Sequence, residues 1–204
     1  MKKSFFMKIF NIVINNFIIS LFSALLAVFL HYLSIGIQKN SFLMTISLFN
    51  QLANFANLIS FYSLHFTLVF TLVNAILISI EIKNRISNDS IANLGRSIKA
   101  TFNIRKFMAQ HQNSEKTKDN LRVTTVNPIN ETYNKAVRKN IVDITNEHLT
   151  LFIKVPRSQQ SAKILREMEV EVKEEIVTQN PDFIISTFQA DSHHHKWLRG
   201  NKRN

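Results

Sequence analysis

Residues 17–37 read FIISLFSALLAVFLHYLSIGI, and no Asp, Glu, Lys or Arg occurs within residues 9–38. Since an α-helix rises about 1.5 Å per residue, this stretch extends over about 31 Å, the thickness of a bilayer's hydrocarbon core. It therefore predicts a transmembrane helix. A cleaved signal peptide is the alternative, because Lys2, Lys3 and Lys8 precede the apolar run. The run is longer than the apolar part of a signal peptide, however, and lacks a convincing small-residue cleavage site.

A second charge-free run covers residues 40–80, which is too long for one membrane crossing. Its later part, residues 58–80, reads LISFYSLHFTLVFTLVNAILISI and predicts another transmembrane helix, ended by Glu81 and Lys83. Its earlier part, residues 40–57, combines side-chain amides with apolar residues at helical spacing. That pattern suits a helix that lies in the outer interface of the bilayer or packs on the hairpin, and a plain extracytosolic loop is the alternative.

The distribution of Lys and Arg around the two predicted spans indicates how the protein lies in the membrane. Three basic residues precede the first span, Lys39 alone lies between the spans, and a larger group follows the second span. Because basic residues concentrate on the cytosolic side, both termini are expected in the cytosol. Residues 1–82 are thus predicted to anchor the protein in the cell membrane as a helical hairpin.

The rest of the chain is basic and lacks several common catalytic motifs. Residues 83–204 contain 21 basic and 13 acidic residues, a net charge of +8. Such a surface beside a bilayer suits anionic lipid, nucleic acid or an acidic protein patch, and charge alone does not choose among them. The sequence has no cysteine, which excludes disulfides, thiolate zinc sites and a cysteine nucleophile. None of its three glycines belongs to a phosphate-binding loop, which argues against a nucleotide-driven motor.

Residues 83–106 directly follow the second predicted span and combine six basic residues with a single acid, Asp89. Apolar residues at three- and four-residue spacing predict an amphipathic helix that lies on anionic headgroups, each nearby base contributing about 1 kcal/mol. A nucleic-acid-binding helix is the alternative. Residues 107–120 are polar and predict a flexible linker. The apolar residues are Ile86, Ile91, Leu94, Ile98 and Phe102, and the predicted headgroup contacts are Lys83, Arg85, Arg96, Lys99, Arg105 and Lys106.

Residues 121–204 predict a small cytosolic α+β domain with a ββαββ order of elements. Pro156 ends the second strand, Ser158 is the predicted N-cap of the helix, and Asn180 with Pro181 breaks that helix. A domain of this size is near the lower limit of independent stability, so a partner or a homo-oligomer is expected to support it. The predicted strands are residues 137–144, 149–155, 182–188 and 196–198, and the predicted helix is residues 159–179.

Two groups of residues could carry chemistry. His193, His194 and His195 are consecutive and could bind a metal only if the chain bent sharply, so an exposed turn is preferred. Asp143, Glu147 and His148 have no spacing that demands acid–base catalysis. The sequence therefore predicts no catalytic residue, no metal, no cofactor and no enzyme activity.

The C-terminal residues KWLRGNKRN place an aromatic ring among basic residues. Such an arrangement is typical of sites where single-stranded nucleic acid stacks and its phosphates are neutralised. A packed tryptophan with a frayed basic end is the alternative. With bases from the preceding strands these residues are predicted to form one face that binds nucleic acid or a partner: Arg138, Lys139, Lys154, Arg157, Lys196, Trp197, Arg199, Lys202 and Arg203.

The stretches YNKAVRKNIVDI (133–144), LTLFIKVPRSQQSAKILREM (149–168) and NPDFIISTFQ (180–189) loosely resemble small accessory proteins carried on mobilisable plasmids of Gram-positive bacteria. The order of parts, two spans followed by a basic cytosolic domain, also resembles the membrane anchors of conjugative coupling proteins. The resemblance covers the whole chain but includes no diagnostic motif, and the phosphate-binding loop of a coupling ATPase is absent. It implies an adaptor in plasmid mobilisation or conjugation rather than a motor.

Two functions follow from these expectations. The first is a non-enzymatic, membrane-anchored adaptor that brings a protein or nucleoprotein complex to the inner face of the membrane. The second is a holin-like or toxin-like pore former, in which the helical hairpin acts and the cytosolic domain regulates it. A sensor that uses the outer segment ranks last, because that segment offers few polar groups for ligand specificity.

Overall fold

The computed structural model describes residues 2–110, 114–116, 122–124, 127–191 and 193–203. It divides into two compact units. Residues 8–83 form one, which we call the helical unit. The residues before and after them together form the other, which we call the α+β unit.

The helical unit is built from α1 (Phe5–Lys39), the short α2 (Ser41–Thr45) and most of α3 (Ser47–Asn88). The most apolar stretches of α1 and α3 have mean hydropathies of 2.3 and 1.9, and only 11% and 6% of these stretches is buried. A core helix of a soluble protein would be mostly buried. The structure thus contains two helices that are long and apolar enough to cross a membrane.

Helices α1 and α3 meet through small residues. The Ser34 hydroxyl donates to the Ala53 carbonyl at 2.9 Å, and the Ser60 hydroxyl donates to the Ala27 carbonyl at 2.8 Å. Bulky apolar side chains lie on the outside, where Phe22 is 75% exposed. Small residues at the helix contact and large apolar residues around it are the arrangement of transmembrane helix pairs, whose surroundings are as apolar as their surfaces.

The segment between the predicted spans is largely helical, as predicted, but it is not one separate helix. Helix α2 ends at Thr45, Ile46 adopts an extended conformation, and α3 begins at Ser47 and continues without interruption to Asn88. Residues 47–57 are therefore the first turns of α3, neither a separate interfacial helix nor a loop. No Gly or Pro interrupts residues 47–88, so nothing in the backbone favours a break there.

The α+β unit contains helices around one antiparallel sheet, which confirms the α+β class. The sheet has the strand order β3-β4-β7-β5, and β6 also pairs with β7. A separate hairpin consists of β1 and β2. The elements are α4 (Ile91–Met108), β1 (Ser114–Lys116), β2 (Arg122–Thr124), α5 (Pro128–Val137), β3 (Ile141–Ile144), β4 (His148–Lys154), α6 (Gln159–Glu167), α7 (Glu169–Gln179), β5 (Phe183–Ile185), β6 (Gln189–Asp191) and β7 (His195–Lys202).

The two faces of the sheet have different partners. Alternate residues of β4, including Leu149 and Leu151, join a core with residues of α4, α5, α6 and α7. We call the opposite face, which carries Phe152 and Trp197, the second face. The rings of these two residues lie 5.0 Å apart in an edge-on arrangement. The Lys3 ammonium lies 3.7 Å from the centre of the Phe152 ring, so residues from the start of the chain cover part of this face.

The predicted ββαββ order needs several corrections. Residues 137–140 were assigned to a strand, but α5 ends at Val137 and β3 begins at Ile141. The predicted helix 159–179 is two helices that meet at Met168. The last strand is longer than predicted, and β6 was missed. Helix α5 was also missed, although Asn127 caps it and Pro128 occupies its first position, both typical of a helix start.

Two other predicted boundaries can be compared with the structure. The end of the first predicted strand at residue 144 agrees with β3, and β4 begins at His148, one residue before the predicted start of the second strand; the two strands pair antiparallel as a hairpin. The predicted linker, residues 107–120, falls partly outside the described residues. Of its described part, residues 107–108 end α4 and residues 114–116 form β1.

Candidate functional site

Helix α4 has two different faces, and the structure buries the less apolar one. An exposed apolar stripe runs along the other side, where Ile91, Ile98 and Phe102 are 53%, 37% and 51% exposed. Lys99 and Lys106 are exposed on the same helix. The apolar residues that the sequence indicated as a membrane-facing side therefore remain accessible on the surface. The buried residues of α4 are Asn93, Ser97, Ala100, Thr101, Ile104 and Met108.

The buried face of α4 covers the open edge of strand β3. The Ser97 hydroxyl accepts a hydrogen bond from the Ile144 N–H at 2.8 Å, and the Thr101 hydroxyl accepts one from the Val142 N–H at 3.0 Å. Four residues advance a helix by about 6 Å and two residues advance a strand by about 6.7 Å. The spacing of Ser97 and Thr101 along α4 therefore nearly matches the spacing of Ile144 and Val142 along β3. Side chains of α4 thus bind the backbone groups that a neighbouring strand would otherwise bind.

Two of the six predicted headgroup contacts are engaged inside the protein instead. Arg85 is 5% exposed and pairs with Asp143 and, at 2.6 Å, with Asp89. The Arg105 Nε donates to the Asn140 carbonyl at 2.7 Å, and burial lowers its pKa to about 10, so it remains charged at neutral pH. Arg85 therefore cannot reach a headgroup in this arrangement. For the four other residues, which are exposed, contact with lipid headgroups stays a prediction: Lys83, Arg96, Lys99 and Lys106.

Arg85 belongs to a buried polar cluster that joins the end of α3, the start of α4 and the β3–β4 turn. Asp89 accepts hydrogen bonds from the Asn93 side chain at 2.7 Å and from the Asn146 N–H at 2.8 Å. Desolvation acts to raise the pKa of Asp89, but the hydrogen bonds from Arg85, Asn93 and Asn146 outweigh it and lower that pKa below its usual value.

The nine residues predicted as one binding face are divided among several places. Lys154 lies at one end of the sheet, where its N–H donates to the Asn140 side chain at 3.0 Å, and Arg138 and Lys139 directly precede Asn140. Lys202 lies at the opposite end, at the finish of β7. A single continuous basic face, as predicted, is therefore not formed. Arg157 follows β4, and Arg203 follows β7.

Two residues of the predicted face are held by the protein itself. Lys196 is paired with Glu169 at the start of α7. Trp197 is only 3% exposed and packs against Phe152, so a base cannot stack on its ring as it lies. The stacking role is corrected for this reason, and the packed-tryptophan alternative is the one observed. The indole Nε1 of Trp197 is buried and has no hydrogen-bond partner among the described residues.

The second face carries a basic cluster that the sequence did not reveal. The Lys154 ammonium lies 3.1 Å from His195 Nε2, and Lys3 lies over the neighbouring Phe152 ring. Burial, followed by the charges of Lys154 and Lys3, lowers the pKa of His195. Burial, with a smaller effect of Lys154, also lowers the pKa of Lys3. Lys3 was not predicted as part of this cluster, because about 150 residues of sequence separate it from its neighbours there. In the sequence its charge indicated only the orientation of the protein in the membrane.

The histidine run forms the connection between β6 and β7. His193 and His194 occupy an exposed turn, as predicted, and His194 has a φ of 56°, in the left-handed region. His195 already belongs to β7, and its Nδ1 lies 4.0 Å from Asp191. In the part of the chain that the structure describes, no group of three His, Asp, Glu or Cys residues is arranged to hold a metal ion.

Comparisons with protein-family models, with curated proteins and with solved structures found no match to this chain.

Proposed function

We propose that the protein is a non-enzymatic adaptor anchored in the cell membrane by α1 and α3, with both termini in the cytosol. Its α+β unit binds a nucleoprotein complex, or a protein of that complex, at the inner face of the membrane. The resemblance of its sequence to plasmid accessory proteins makes plasmid mobilisation the proposed setting. A homo-oligomer remains part of this proposal.

The exposed stripe of α4 is the observation that carries the membrane part of the proposal. Ile91, Ile98 and Phe102 are apolar, exposed and on the same helix as the exposed Lys99 and Lys106. An apolar stripe with basic residues beside it suits the boundary between headgroups and acyl chains of an anionic bilayer. The same helix is fixed to the sheet by hydroxyl groups on its buried face. We propose that α4 docks the α+β unit on the membrane.

The excess of positive charge supports an anionic partner. Residues 83–204 carry a net charge of +8, and exposed bases such as Arg138, Lys139 and Arg157 lie near one end of the sheet. These three residues make no salt bridge among the described residues. Cations without carboxylate partners are suited to phosphates, because binding them releases the condensed counterions of a nucleic acid.

The absence of cysteine makes the topology directly testable. A single cysteine is introduced at Ser41, between the two long helices, and in a second variant at Lys139 in the α+β unit. A membrane-impermeant maleimide added to intact cells is expected to label the first variant and not the second, which becomes labelled only after lysis. Labelling of the Lys139 variant on intact cells would overturn the proposed orientation.

Nucleic-acid binding is tested on the full chain reconstituted in lipid nanodiscs. Single- and double-stranded DNA are titrated at several salt concentrations, and phosphate contacts are expected to give a log K that falls linearly with log salt. A variant with Arg138→Gln and Lys139→Gln is expected to flatten the slope by about two contacts. Lys163→Gln, whose side chain pairs with Glu167 on α6, is the matched control. No binding at low salt would exclude direct nucleic-acid contact and leave a protein partner.

The pore-forming alternative is separated by expressing residues 1–84 alone. An adaptor's anchor is expected to leave the membrane potential unchanged. Collapse of the potential on expression would contradict the adaptor proposal and favour a membrane-active protein. The full chain serves as the comparison in the same cells.

A further inference from the structure

A cavity of about 300 Å³ opens on the second face of the sheet, entirely within the α+β unit. Strands β4 and β7 form its floor, and the residues that begin the chain form one wall. Its volume is at the lower end of the range of small-molecule sites, which is about 300–1,000 Å³. Its lining includes the charged and polar residues Lys2, Lys3, Asp143, Thr150, Trp197 and Arg199.

The charged residues that line this cavity are mainly cationic. Lys2, Lys3 and Arg199 contribute three positive charges, and none of them forms a salt bridge within the described part of the chain. Asp143 is the one carboxylate among the described lining residues, and it is paired with the buried guanidinium of Arg85. An anion that enters the cavity therefore meets three cations and a carboxylate that is already bound.

Accessible donor groups of the lining suit the oxygens of an anion. Lys2 and Arg199 are exposed, and Thr150, which is half-buried, adds a hydroxyl group. Ammonium, guanidinium and hydroxyl groups all donate hydrogen bonds to phosphate oxygens. Trp197 also lines the cavity, but its Nε1 is buried and has almost no accessible surface, so a ligand does not reach that atom as the ring lies.

We propose that this cavity binds a phosphate monoester, with Lys2, Lys3 and Arg199 neutralising its charge and the Thr150 hydroxyl donating to one of its oxygens. Phosphate oxygens are strong acceptors, and charge-assisted hydrogen bonds from Arg and Lys to phosphate are stronger than neutral ones. The phosphate group belongs either to a free small molecule or to the headgroup of a phosphatidic-acid-type lipid. This site is separate from the DNA-binding and α4-docking surfaces proposed above.

The protein contains its own reporter for this site. Trp197 is the sole tryptophan of the chain, so in nanodiscs whose scaffold lacks tryptophan its fluorescence reports on the cavity alone. The full chain is placed in nanodiscs of phosphatidylcholine and titrated with glycerol 3-phosphate at constant ionic strength, with chloride replacing it in the control. A saturable change with a Kd below about 1 mM is expected. In a parallel arm, nanodiscs containing phosphatidic acid are prepared without free phosphate ester.

The two arms distinguish the sources of the phosphate. Saturation with glycerol 3-phosphate in phosphatidylcholine identifies a free ligand. A fluorescence change in the phosphatidic acid nanodiscs that is absent from nanodiscs given the same charge by phosphatidylglycerol, a phosphodiester, identifies a lipid headgroup. Fluorescence that follows the chloride control in both arms overturns the proposal.

Variants test the assigned contacts. Arg199→Gln is expected to raise the Kd by about tenfold or more, whereas Lys163→Gln, on an exposed part of α6, is expected to leave it unchanged. Thr150→Val removes the hydroxyl but keeps the branched shape of the side chain, and it is expected to weaken binding several-fold. Unchanged binding by both Arg199→Gln and Thr150→Val overturns the assignment even if phosphate binds elsewhere.

Discussion

The hydroxyl of Ser97 on α4 accepts the backbone N–H of Ile144 at 2.8 Å, and Arg85 Nη1 donates to the carbonyl oxygen of the same residue at 2.9 Å. Both backbone groups of this residue on the edge strand β3 are thus bound by side chains. Thr101 alone binds both backbone groups of Val142, at 3.0 Å and 3.1 Å. Helix α4 replaces a missing strand, and this leaves its apolar stripe on the outside.

We expect Ser97→Ala to destabilise the α+β unit by about 1–3 kcal/mol, because it leaves the buried N–H of Ile144 without its partner. Ser87→Ala, at an exposed position near the end of α3, is the control and should change stability by less than about 0.5 kcal/mol. Denaturant unfolding in detergent measures the stability, and hydrogen exchange measures protection of the Ile144 amide. Unaltered protection in Ser97→Ala would contradict the role of α4 as an edge cover.

Removing Arg85 should be costly, since it leaves the buried carboxylates of Asp89 and Asp143 without their cation. We expect Arg85→Met to destabilise the protein by about 3–5 kcal/mol. The double variant Arg85→Met with Asp143→Leu should recover part of this loss, because no charge is then stranded at position 143. A double variant no more stable than Arg85→Met alone would show that the pair is not the source of the effect.

Acid should destabilise the α+β unit through Asp89. Its folded-state pKa is lowered, so its contribution to stability is fully present above the unfolded-state value, about 3.9. The contribution is lost as the pH falls from that value through the lower folded pKa. Asp89→Asn should therefore be less stable than the wild type at pH 7, with the difference shrinking below about pH 4. Unfolding free energies measured between pH 2 and pH 7 check the sign, and a gap that widens on acidification would contradict it.

Two glycines should respond in opposite ways to alanine. A Cβ at Gly200 would overlap the end of the Ile185 side chain and lie 3.3 Å from the Phe183 Cβ. We expect Gly200→Ala to cost about 1 kcal/mol or more through overpacking between β7 and β5. Gly95 lies inside α4, where a Cβ would extend into open space, so Gly95→Ala should stabilise by about 0.5–1 kcal/mol. Thermal unfolding of the two variants side by side tests this contrast.

Docking of α4 on the bilayer can be followed with spin labels, since the chain has no cysteine of its own. A label at Ile98 should become inaccessible to a water-soluble relaxation agent in anionic nanodiscs. A label at Lys163 should remain accessible in the same nanodiscs. Replacing Lys99 and Lys106 by glutamine should return the Ile98 label to water, because it removes about 2 kcal/mol of headgroup attraction. An Ile98 label that stays accessible in anionic lipid would contradict the docking.

Local patterns predicted the parts of the fold in which neighbours in sequence decide the structure. The two apolar helices, the β3–β4 hairpin and the start of α6 after Ser158 follow from hydrophobic runs, turn residues and chain breakers. The division of residues 159–179 at Met168 was not predicted, since no Gly or Pro marks it. Helix α5 was missed because the β-branched and apolar run after it suggested that the strand began earlier.

The arrangement of the candidate site depends on contacts between residues that are far apart in the sequence, and no local sequence pattern indicates such contacts. Arg85 suggested a headgroup contact because it follows the second span, yet its partner Asp143 lies 58 residues further along. Ser97 and Thr101 are polar residues of the predicted amphipathic helix, and such residues commonly face solvent. In the structure, however, both are fully buried. A polar residue on a helix can face either water or an uncovered strand edge, and only the tertiary structure decides between them.

The position of Lys3 over Phe152 also bears on the order in which the protein can be completed during synthesis. Residue 3 leaves the ribosome well before the strand that carries Trp197 beside Phe152. At about 5–20 residues per second, roughly 10–40 s separate the two events. During this interval the residues around Lys3 cannot complete their packing, because the second face of the sheet is not yet formed. A bulky tag joined to the N-terminus would therefore interfere with the final closing of the fold more than one placed on the exposed surface of α6.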